Sequence, residues 1–239
     1  MTLVPSSLRS RRPRAIVAVV LSLTLIACGA PPGPPILAHT DSIGRGVAVD
    51  RGQPAAHDAD LLLIGTSTIS LWNTECSFPG REVVKRGLSG AMIADIDSNL
   101  DDLLGQTSPR QILLYAGEND IARGDDAEQV SRALLALIDR VRASFPQSEL
   151  LVLAIKPSPA RMAVWPRAVA VNAALQAAAA QRGYRLIEMA SPLMGPDGPD
   201  PRYFQADGIH LTPEGYARID AEVAAHLIDT GQRDAAARC

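Results

Sequence analysis

Two separate segments of the chain supply a serine, an aspartate and a histidine, which together can carry out nucleophilic catalysis. Ser67 comes directly after an apolar run, and Asp207 and His210 are three residues apart in the glycine-containing segment Asp207-Gly208-Ile209-His210. A serine hydroxyl is a poor nucleophile at neutral pH unless a base removes its proton and an acid orients that base. We therefore predict Ser67 as a nucleophile, His210 as its base and Asp207 as the group that orients the histidine.

Each of these residues also has a purely structural interpretation. A serine at a strand-to-helix turn is most often an N-cap, and His210 with Asp207 can be a local pair that stabilises a loop. The chain has four histidines; His39 and His57 lie in the predicted tether of residues 28–58, and His226 lies near the end of a predicted helix, where a cation is favourable. His210 is therefore the best candidate for a base.

Two further residues follow apolar runs and are candidates for stabilising a negatively charged oxygen. Asn119 lies in Gly117-Glu118-Asn119-Asp120, and Gly90 ends the segment Arg86-Gly87-Leu88-Ser89-Gly90. A side-chain amide or a backbone N–H can donate a hydrogen bond to a developing oxyanion. Asn and Gly are also common turn formers, so neither residue is diagnostic alone.

The elements that must position these residues are short apolar runs that alternate with helical patterns. The runs lack the alternation of apolar and polar residues, so we expect strands that are buried on both faces of a parallel sheet. They are residues 61–64, 83–84, 111–116, 150–155 and 184–187. Helices are predicted for residues 92–104, 127–143 and 168–181, and a last helix begins with Thr212 as N-cap, Pro213 and Glu214.

This alternation predicts an α/β fold, a three-layer α/β/α sandwich with right-handed crossovers and a parallel, flavodoxin-like sheet of about five strands. With 239 residues, 47% of them hydrophobic, the chain has enough apolar material for one such domain. Reactive groups in these sheets collect at the carboxyl ends of the strands. The candidate residues all follow a strand or precede the last helix, so we expect them to converge at that edge.

The order of the blocks resembles that of the SGNH (GDSL-like) hydrolases, over residues 61–227. The first block is similar to the branch that reads Gly-x-Ser-x-Ile-x-Leu-Trp, here residues 65–72, and residues 115–120 (YAGEND) and 156–159 (KPSP) resemble it too. The resemblance implies a serine esterase that needs no metal or organic cofactor. It also implies the site residues: a triad of Ser67, Asp207 and His210, and an oxyanion hole of the backbone N–H groups of Ser67 and Gly90 with the side chain of Asn119.

Two positions depart from the family's pattern. Thr66 replaces the usual Asp before the nucleophile, and Lys85 replaces an Asn often found near the start of the second block. Neither position supplies a triad or oxyanion group in the resemblance. The implied substrates are carboxylic esters with short acyl groups, such as O-acetyl groups on glycans. An O-acyltransferase with the same triad and a catalytically silent glycan-binding lipoprotein are the alternatives.

Three other residues each have two interpretations. Trp72 and Trp165 are predicted to pack in the domain, with lining of the pocket as the alternative. Arg161, in the loop after the fourth strand, either faces the site or is solvated.

The pattern of basic and apolar residues in the N-terminal segment predicts that the protein is exported. Four arginines (Arg9, Arg11, Arg12 and Arg14) precede an uncharged apolar run of 13 residues, which is too short for a permanent membrane helix but suits a signal peptide. The run ends in Leu25-Ile26-Ala27-Cys28, which resembles a bacterial lipobox and implies that Cys28 is acylated and anchored in a lipid bilayer. An ordinary signal peptide cleaved near Ala27 or Ala30 is the alternative.

We therefore divide the chain into a signal peptide (1–27), a lipidated cysteine with a Pro/Gly-rich tether (28–58), the hydrolase domain (59–230) and a tail (231–239). The chain has 23 Lys and Arg against 26 Asp and Glu, and residues 1–27 contain four of the arginines and no acid, which leaves 19 against 26. This acidic balance argues against a nucleic-acid partner.

The expected partners are a small-molecule or glycan ester and, through Cys28, the bilayer on the periplasmic side or at the cell surface. The sequence carries no signal for an oligomeric state. It leaves open whether Cys76 and Cys239 form a disulfide.

Overall fold

The computed structural model describes residues 59–229. The predicted signal peptide, the Cys28 lipidation site, the tether and the C-terminal tail lie outside these residues and stay predictions. Cys76 is disulfide-bonded, and Cys239, with which a pairing was left open, lies outside the described residues.

The centre of the fold is a parallel sheet of five strands in the order β2-β1-β3-β4-β5. Its strands are β1 (Leu61–Gly65), β2 (Val83–Gly87), β3 (Gln111–Tyr115), β4 (Glu149–Leu153) and β5 (Tyr184–Ile187). Every residue of β1 and β3 is buried, as the uninterrupted apolar runs require for strands at the centre of a covered sheet. The predicted fold class is confirmed.

Alternate residues of the strands enter two separate cores, one on each face of the sheet. Leu62 and Ile64 of β1 belong to the first core, whereas Leu61 and Leu63 belong to the second. The first core is closed by α3 (Ile93–Ser98), α4 (Leu100–Leu104), α6 (Ala127–Ser144) and α7 (Trp165–Arg182). The second is closed mainly by α8 (Pro213–Ala224), together with Trp72 and Phe78 near α1 (Ser67–Ser70) and α2 (Thr74–Ser77).

The remaining elements are short. They are the helix α5 (Glu118–Arg123), the hairpin of β6 (Met194–Gly195) with β7 (Gly198–Pro199), and 3-10 turns at Pro159–Val164, Ser191–Leu193 and Pro201–Tyr203. Among residues 59–229, none of the helices has both the length and the hydropathy needed to cross a bilayer.

The predicted helices are present, with two differences. The single helix predicted for residues 92–104 is divided into α3 and α4 at Asn99, whose φ and ψ of −104° and 11° depart from the helix. The Asn99 side chain donates to the carbonyl of Asp95 at 2.8 Å, a local hydrogen bond that competes with the helical pattern. Helix α7 begins at Trp165, three residues earlier than predicted, with Pro166 in its first turn, where proline is well accepted.

Candidate active site

Ser67 lies at the carboxyl edge of the sheet, where β1 ends and α1 begins. A Cβ atom on Gly65 would lie 2.2 Å from the carbonyl oxygen of Tyr115 in β3, so the chain can leave the sheet here only at a residue without a side chain. Gly87 at the end of β2 is equally restricted, because a Cβ atom there would lie 2.3 Å from the backbone nitrogen of Ser70. Close backbone contacts on two neighbouring strands therefore fix the position of Ser67.

His210 lies in the loop that precedes α8, and its ring contacts both other predicted triad residues. Its Nε2 atom is 3.0 Å from Oγ of Ser67, and its Nδ1 atom is 2.5 Å from Oδ2 of Asp207. The other carboxylate oxygen, Oδ1, accepts hydrogen bonds from the backbone N–H groups of Ile209 and His210, at 2.9 and 3.0 Å. The structure thus brings the three side chains into one continuous chain of hydrogen bonds.

The Asp207 carboxylate is held in its charged form. Partial burial raises its pKa, but the backbone N–H groups of Ile209 and His210, and then the imidazole, lower it by more, so the net pKa lies below its usual value. An ionised carboxylate beside Nδ1 favours the tautomer with the proton on that nitrogen. Nε2 is then left as the acceptor that faces Ser67.

Helix α8, which follows the histidine loop, is bound directly to the segment that carries the serine. The hydroxyl of Tyr216 donates to the carbonyl of Thr68 at 2.9 Å, and Nε1 of Trp72 is 2.9 Å from Oδ1 of Asp220. Ser77 donates to the second oxygen of Asp220 at 2.8 Å. These hydrogen bonds join α8, which follows the His210 loop, to the segment that begins with Ser67. They therefore fix the distance between the serine and the histidine.

Two of the candidate oxyanion donors, Asn119 and Gly90, lie beside each other. Nδ2 of Asn119 donates to the carbonyl of Ala91 at 2.9 Å, which places this amide beside the turn that contains Gly90. Gly90 is exposed, has a φ of +74°, and has no atom within 4 Å of where a Cβ atom would project. Within residues 59–229, the backbone N–H groups of Ser67 and Gly90 have no hydrogen-bond acceptor, so both remain available as donors.

A buried cluster of charges behind Asn119 was missed by sequence reasoning. Glu118 is 7% exposed, and it accepts hydrogen bonds from Tyr115 at 2.6 Å and from Lys156 and Ser158 at 3.0 Å each. Nη1 of Arg161 lies 3.0 Å from the same carboxylate. Burial raises the pKa of Glu118, but Lys156 and Arg161 outweigh burial and lower it to about 2. The signal was present in YAGEND and KPSP, which place an acid and a base after neighbouring strands.

This cluster is connected to the His210 loop and to Asn119. Lys156, which is 1% exposed, also donates to the carbonyl of Ile209 at 2.8 Å, next to His210. Nη2 of Arg161 donates to Oδ1 of Asn119 at 3.1 Å. Of the two interpretations of Arg161, the one in which it faces the site is therefore correct.

The two tryptophans, Trp72 and Trp165, both pack near the site. Trp72 is fully buried and packs against Phe78 and Tyr216, as predicted. Trp165 is half-buried and lines a small recess beside Arg161. Within residues 59–229, no group of three His, Cys, Asp or Glu side chains is arranged to hold a metal ion.

The fold and the residues at its carboxyl edge define an α/β serine hydrolase. Residues 41–218, well over half of the chain, match the model of the GDSL-like lipase/acylhydrolase family. The chain belongs to this family and is an ester hydrolase.

Solved structures share this fold. A Streptococcus pneumonia protein named as a platelet activating factor is similar with a TM-score of 0.63 and 23% identity, over 72% of this chain and 85% of that one. A family 3 carbohydrate esterase from Clostridium thermocellum matches with a TM-score of 0.58 and 19% identity, over 70% and 94%. A variant of an acetyl-xylooligosaccharide esterase from Geobacillus Stearmophilus matches with a TM-score of 0.58 and 13% identity, over 75% and 98%. No curated protein matches the sequence significantly.

Proposed function

We propose that the chain hydrolyses esters through an acyl-enzyme on Ser67, with His210 as general base and acid and Asp207 as the orienting carboxylate. The observation that supports this proposal most directly is the unbroken hydrogen-bond chain from Asp207 Oδ2 through the imidazole to Ser67 Oγ, at 2.5 and 3.0 Å. A nucleophile and a base within hydrogen-bond reach, with a third group orienting the base, is the arrangement that covalent acyl transfer needs.

The reaction proceeds in two halves. Nε2 of His210 takes the Ser67 proton as Oγ attacks the acyl carbon. Collapse of the tetrahedral intermediate then breaks the bond between the acyl carbon and the alkoxy oxygen. The alkoxy oxygen receives that proton from Nε2 and leaves as the alcohol. Water then attacks the acyl-enzyme while Nε2 takes one of its protons; collapse releases the carboxylic acid and returns the proton to Oγ. Asp207 stays ionised and stabilises the imidazolium. These steps require no metal or organic cofactor.

The oxyanion of each intermediate is bound by the N–H groups of Ser67 and Gly90 and by Nδ2 of Asn119. Ser67 is the first residue of α1 and Gly90 lies in an open turn, so neither N–H is used in regular secondary structure. Nδ2 of Asn119 carries a second hydrogen besides the one that it donates to Ala91. Donors that are fixed in advance stabilise developing charge more than water does.

The proposed substrates are short-chain carboxylic esters, with O-acetyl groups on glycans as the first class to test. Two structurally similar proteins, a carbohydrate esterase and an acetyl-xylooligosaccharide esterase, support this choice at the level of the fold. In the described part of the chain, Leu71, Val169 and Met194 are the exposed large hydrophobic residues. An extended apolar surface for a long acyl chain is thus not evident there.

Membrane attachment through Cys28 is a separate proposal, supported by the basic and apolar segments that end in Leu25-Ile26-Ala27-Cys28. The experiment is expression of the full chain and of Cys28→Ser with radiolabelled palmitate. Label in the parent and none in the variant is the expected result. Equal labelling, or none in either, would contradict the proposal.

The test of the reaction is hydrolysis of p-nitrophenyl acetate by the parent, Ser67→Ala and His210→Ala. Each variant should lose at least about 1000-fold in kcat/KM, because triad members act as a unit. Ser98→Ala and His226→Ala, which change a serine and a histidine outside the site, are matched controls and should retain activity. A serine-directed phosphonate should label the parent at Ser67.

The failing outcomes point to different alternatives. A parent that is no faster than its variants and is not labelled by phosphonate would favour a non-catalytic, glycan-binding lipoprotein. Recovery of acetyl groups on an added alcohol, with little free acetate, would favour an O-acyltransferase that uses the same residues.

A further inference from the structure

The side chain of Asn119 can donate to an oxyanion only in one of its two amide orientations. Its oxygen and nitrogen are nearly equal in size, so the shape of the pocket alone does not select between them. In the observed orientation, Nδ2 donates to the carbonyl of Ala91 at 2.9 Å and Oδ1 accepts from Nη2 of Arg161 at 3.1 Å. In the reverse orientation, the amide oxygen would face the carbonyl oxygen of Ala91, and both are acceptors. The amide nitrogen would face the guanidinium of Arg161, and both are donors.

Arg161 constrains the amide oxygen of Asn119, and its guanidinium in turn lies against the buried Glu118 carboxylate. Nη1 lies 3.0 Å from Oε1 of Glu118 in an ion pair without hydrogen-bond geometry, while Nη2 donates to Asn119, so one rigid fork contacts the carboxylate and the amide with different nitrogens. Glu118 in turn is bound by Tyr115, Ser158 and Lys156. The Arg161 side chain is only 21% exposed, and its backbone leaves the helical region at φ −119° and ψ 16° within the turn at Pro159–Val164.

We infer that Arg161 is a positioning residue that holds the Asn119 amide with its nitrogen toward the oxyanion. Arg161 acts through Asn119 and need not touch the substrate. The inference rests on the proposed function, since the orientation of Asn119 affects catalysis only if its amide is an oxyanion donor. It predicts that the contributions of the two residues to kcat are not independent.

The first experiment is a double-mutant cycle on kcat for p-nitrophenyl acetate. Asn119→Ala should lower kcat by about 100- to 1000-fold, the usual effect of removing one oxyanion donor. Arg161→Met should lower kcat by about 10- to 100-fold with KM changed by less than about threefold, because the loss is confined to the transition state. The double variant should be no slower than Asn119→Ala alone. Arg167→Met, which removes an exposed arginine of α7, is the control and should match the parent.

A second variant keeps the inference testable if Arg161→Met is poorly folded. Arg161→Lys retains a cation beside Glu118, but one ammonium lacks the fork that binds both Glu118 and Asn119. It should therefore melt near the parent temperature and still lose most of the kcat that Arg161→Met loses. Full kcat in Arg161→Lys would overturn the inference, as would a double variant whose loss is the product of the two single losses.

Failure of the inference is distinguishable from failure of the proposed function. A parent that hydrolyses no ester, or an Asn119→Ala variant with parental kcat, would remove the oxyanion role itself, and the inference with it. An impaired Asn119→Ala variant beside a fully active Arg161→Met variant would overturn the inference alone.

Discussion

Lys156 is the buried cation that connects the charge cluster to the His210 loop, and Lys156→Met measures how strongly that connection stabilises the fold. Nζ donates to Glu118 Oε1 and Ser158 Oγ at 3.0 Å each and to the Ile209 carbonyl at 2.8 Å. Methionine is an unbranched, adaptable side chain without a donor, so the substitution removes all three hydrogen bonds and keeps the site filled.

The expected loss of unfolding free energy depends on the partners that Glu118 retains. Removing one member of a buried ion pair costs about 3–5 kcal/mol of unfolding free energy. Glu118 retains Arg161, Tyr115 and Ser158, so we expect the lower end of this range, about 3 kcal/mol. With an m-value of about 2–3 kcal/mol/M, the urea midpoint should fall by about 1–1.5 M. Far-UV circular dichroism at pH 7 measures this midpoint directly.

The control variants separate the ion pair from loss of packing. The double variant Lys156→Met with Glu118→Gln should lose less unfolding free energy than the sum of the two single losses, by about 1–3 kcal/mol. The exposed Arg167→Met variant should stay within about 0.5 kcal/mol of the parent. A Lys156→Met midpoint within about 0.2 M of the parent would refute the reasoning, because a charged pair lost from the interior must be visible at this m-value.

Three further predictions concern the triad, pH and the sheet edge. Asp207→Asn should lower kcat by about 10³- to 10⁴-fold with little change in melting temperature, because the amide oxygen can still accept the two backbone hydrogen bonds while the imidazole loses its carboxylate partner. The pKa of Glu118 falls from 4.5 to about 2 on folding, so the stability that its ionisation contributes should be present above pH 4.5 and lost as the pH falls toward 2. Urea midpoints of the parent should decline more steeply over this window than those of Glu118→Gln. Gly87→Ala should destabilise the fold by about 1–3 kcal/mol and lower kcat, since its Cβ atom would lie 2.3 Å from the Ser70 nitrogen; thermal melts and ester hydrolysis test this.

The fold was predictable because its signals are local in the sequence. Strands that are covered on both faces must be apolar without alternation, and the runs near residues 61–65 and 111–115 satisfy that condition. Thr212, Pro213 and Glu214 mark the start of α8 in the same way: Thr212 is the N-cap, and its side chain accepts from the N–H of Gly215 at 3.1 Å. The break at Asn99 was not predictable, since apolar spacing continues through it and only a side-chain hydrogen bond to Asp95 distinguishes it.

The site was predictable only in part, because some of its residues carry no local signal in the sequence. Ser67, Asp207 and His210 were predicted from the order of the blocks that resemble the SGNH hydrolases, and their side chains lie in hydrogen-bond contact. Glu118 and Lys156 are common residue types that are 38 positions apart, and sequence alone does not show that both are buried and in contact. Arg161 had two interpretations, because its direction depends on a backbone kink within a short turn.

Lys85, one of the two departures from the family's pattern, binds the end of the helix that begins with the predicted nucleophile. Its Nζ donates to the carbonyls of Ser70 and Trp72, at 3.1 and 2.9 Å, at the carboxyl end of α1. A helix of four residues is not stable alone, so the position of Ser67 depends on contacts from elsewhere in the fold. A cation at the carboxyl end of a helix satisfies carbonyls that have no partner within the helix. Lys85 therefore acts with the Tyr216–Thr68 hydrogen bond to hold the serine in line with His210, and the departure supports the geometry on which the proposed reaction depends.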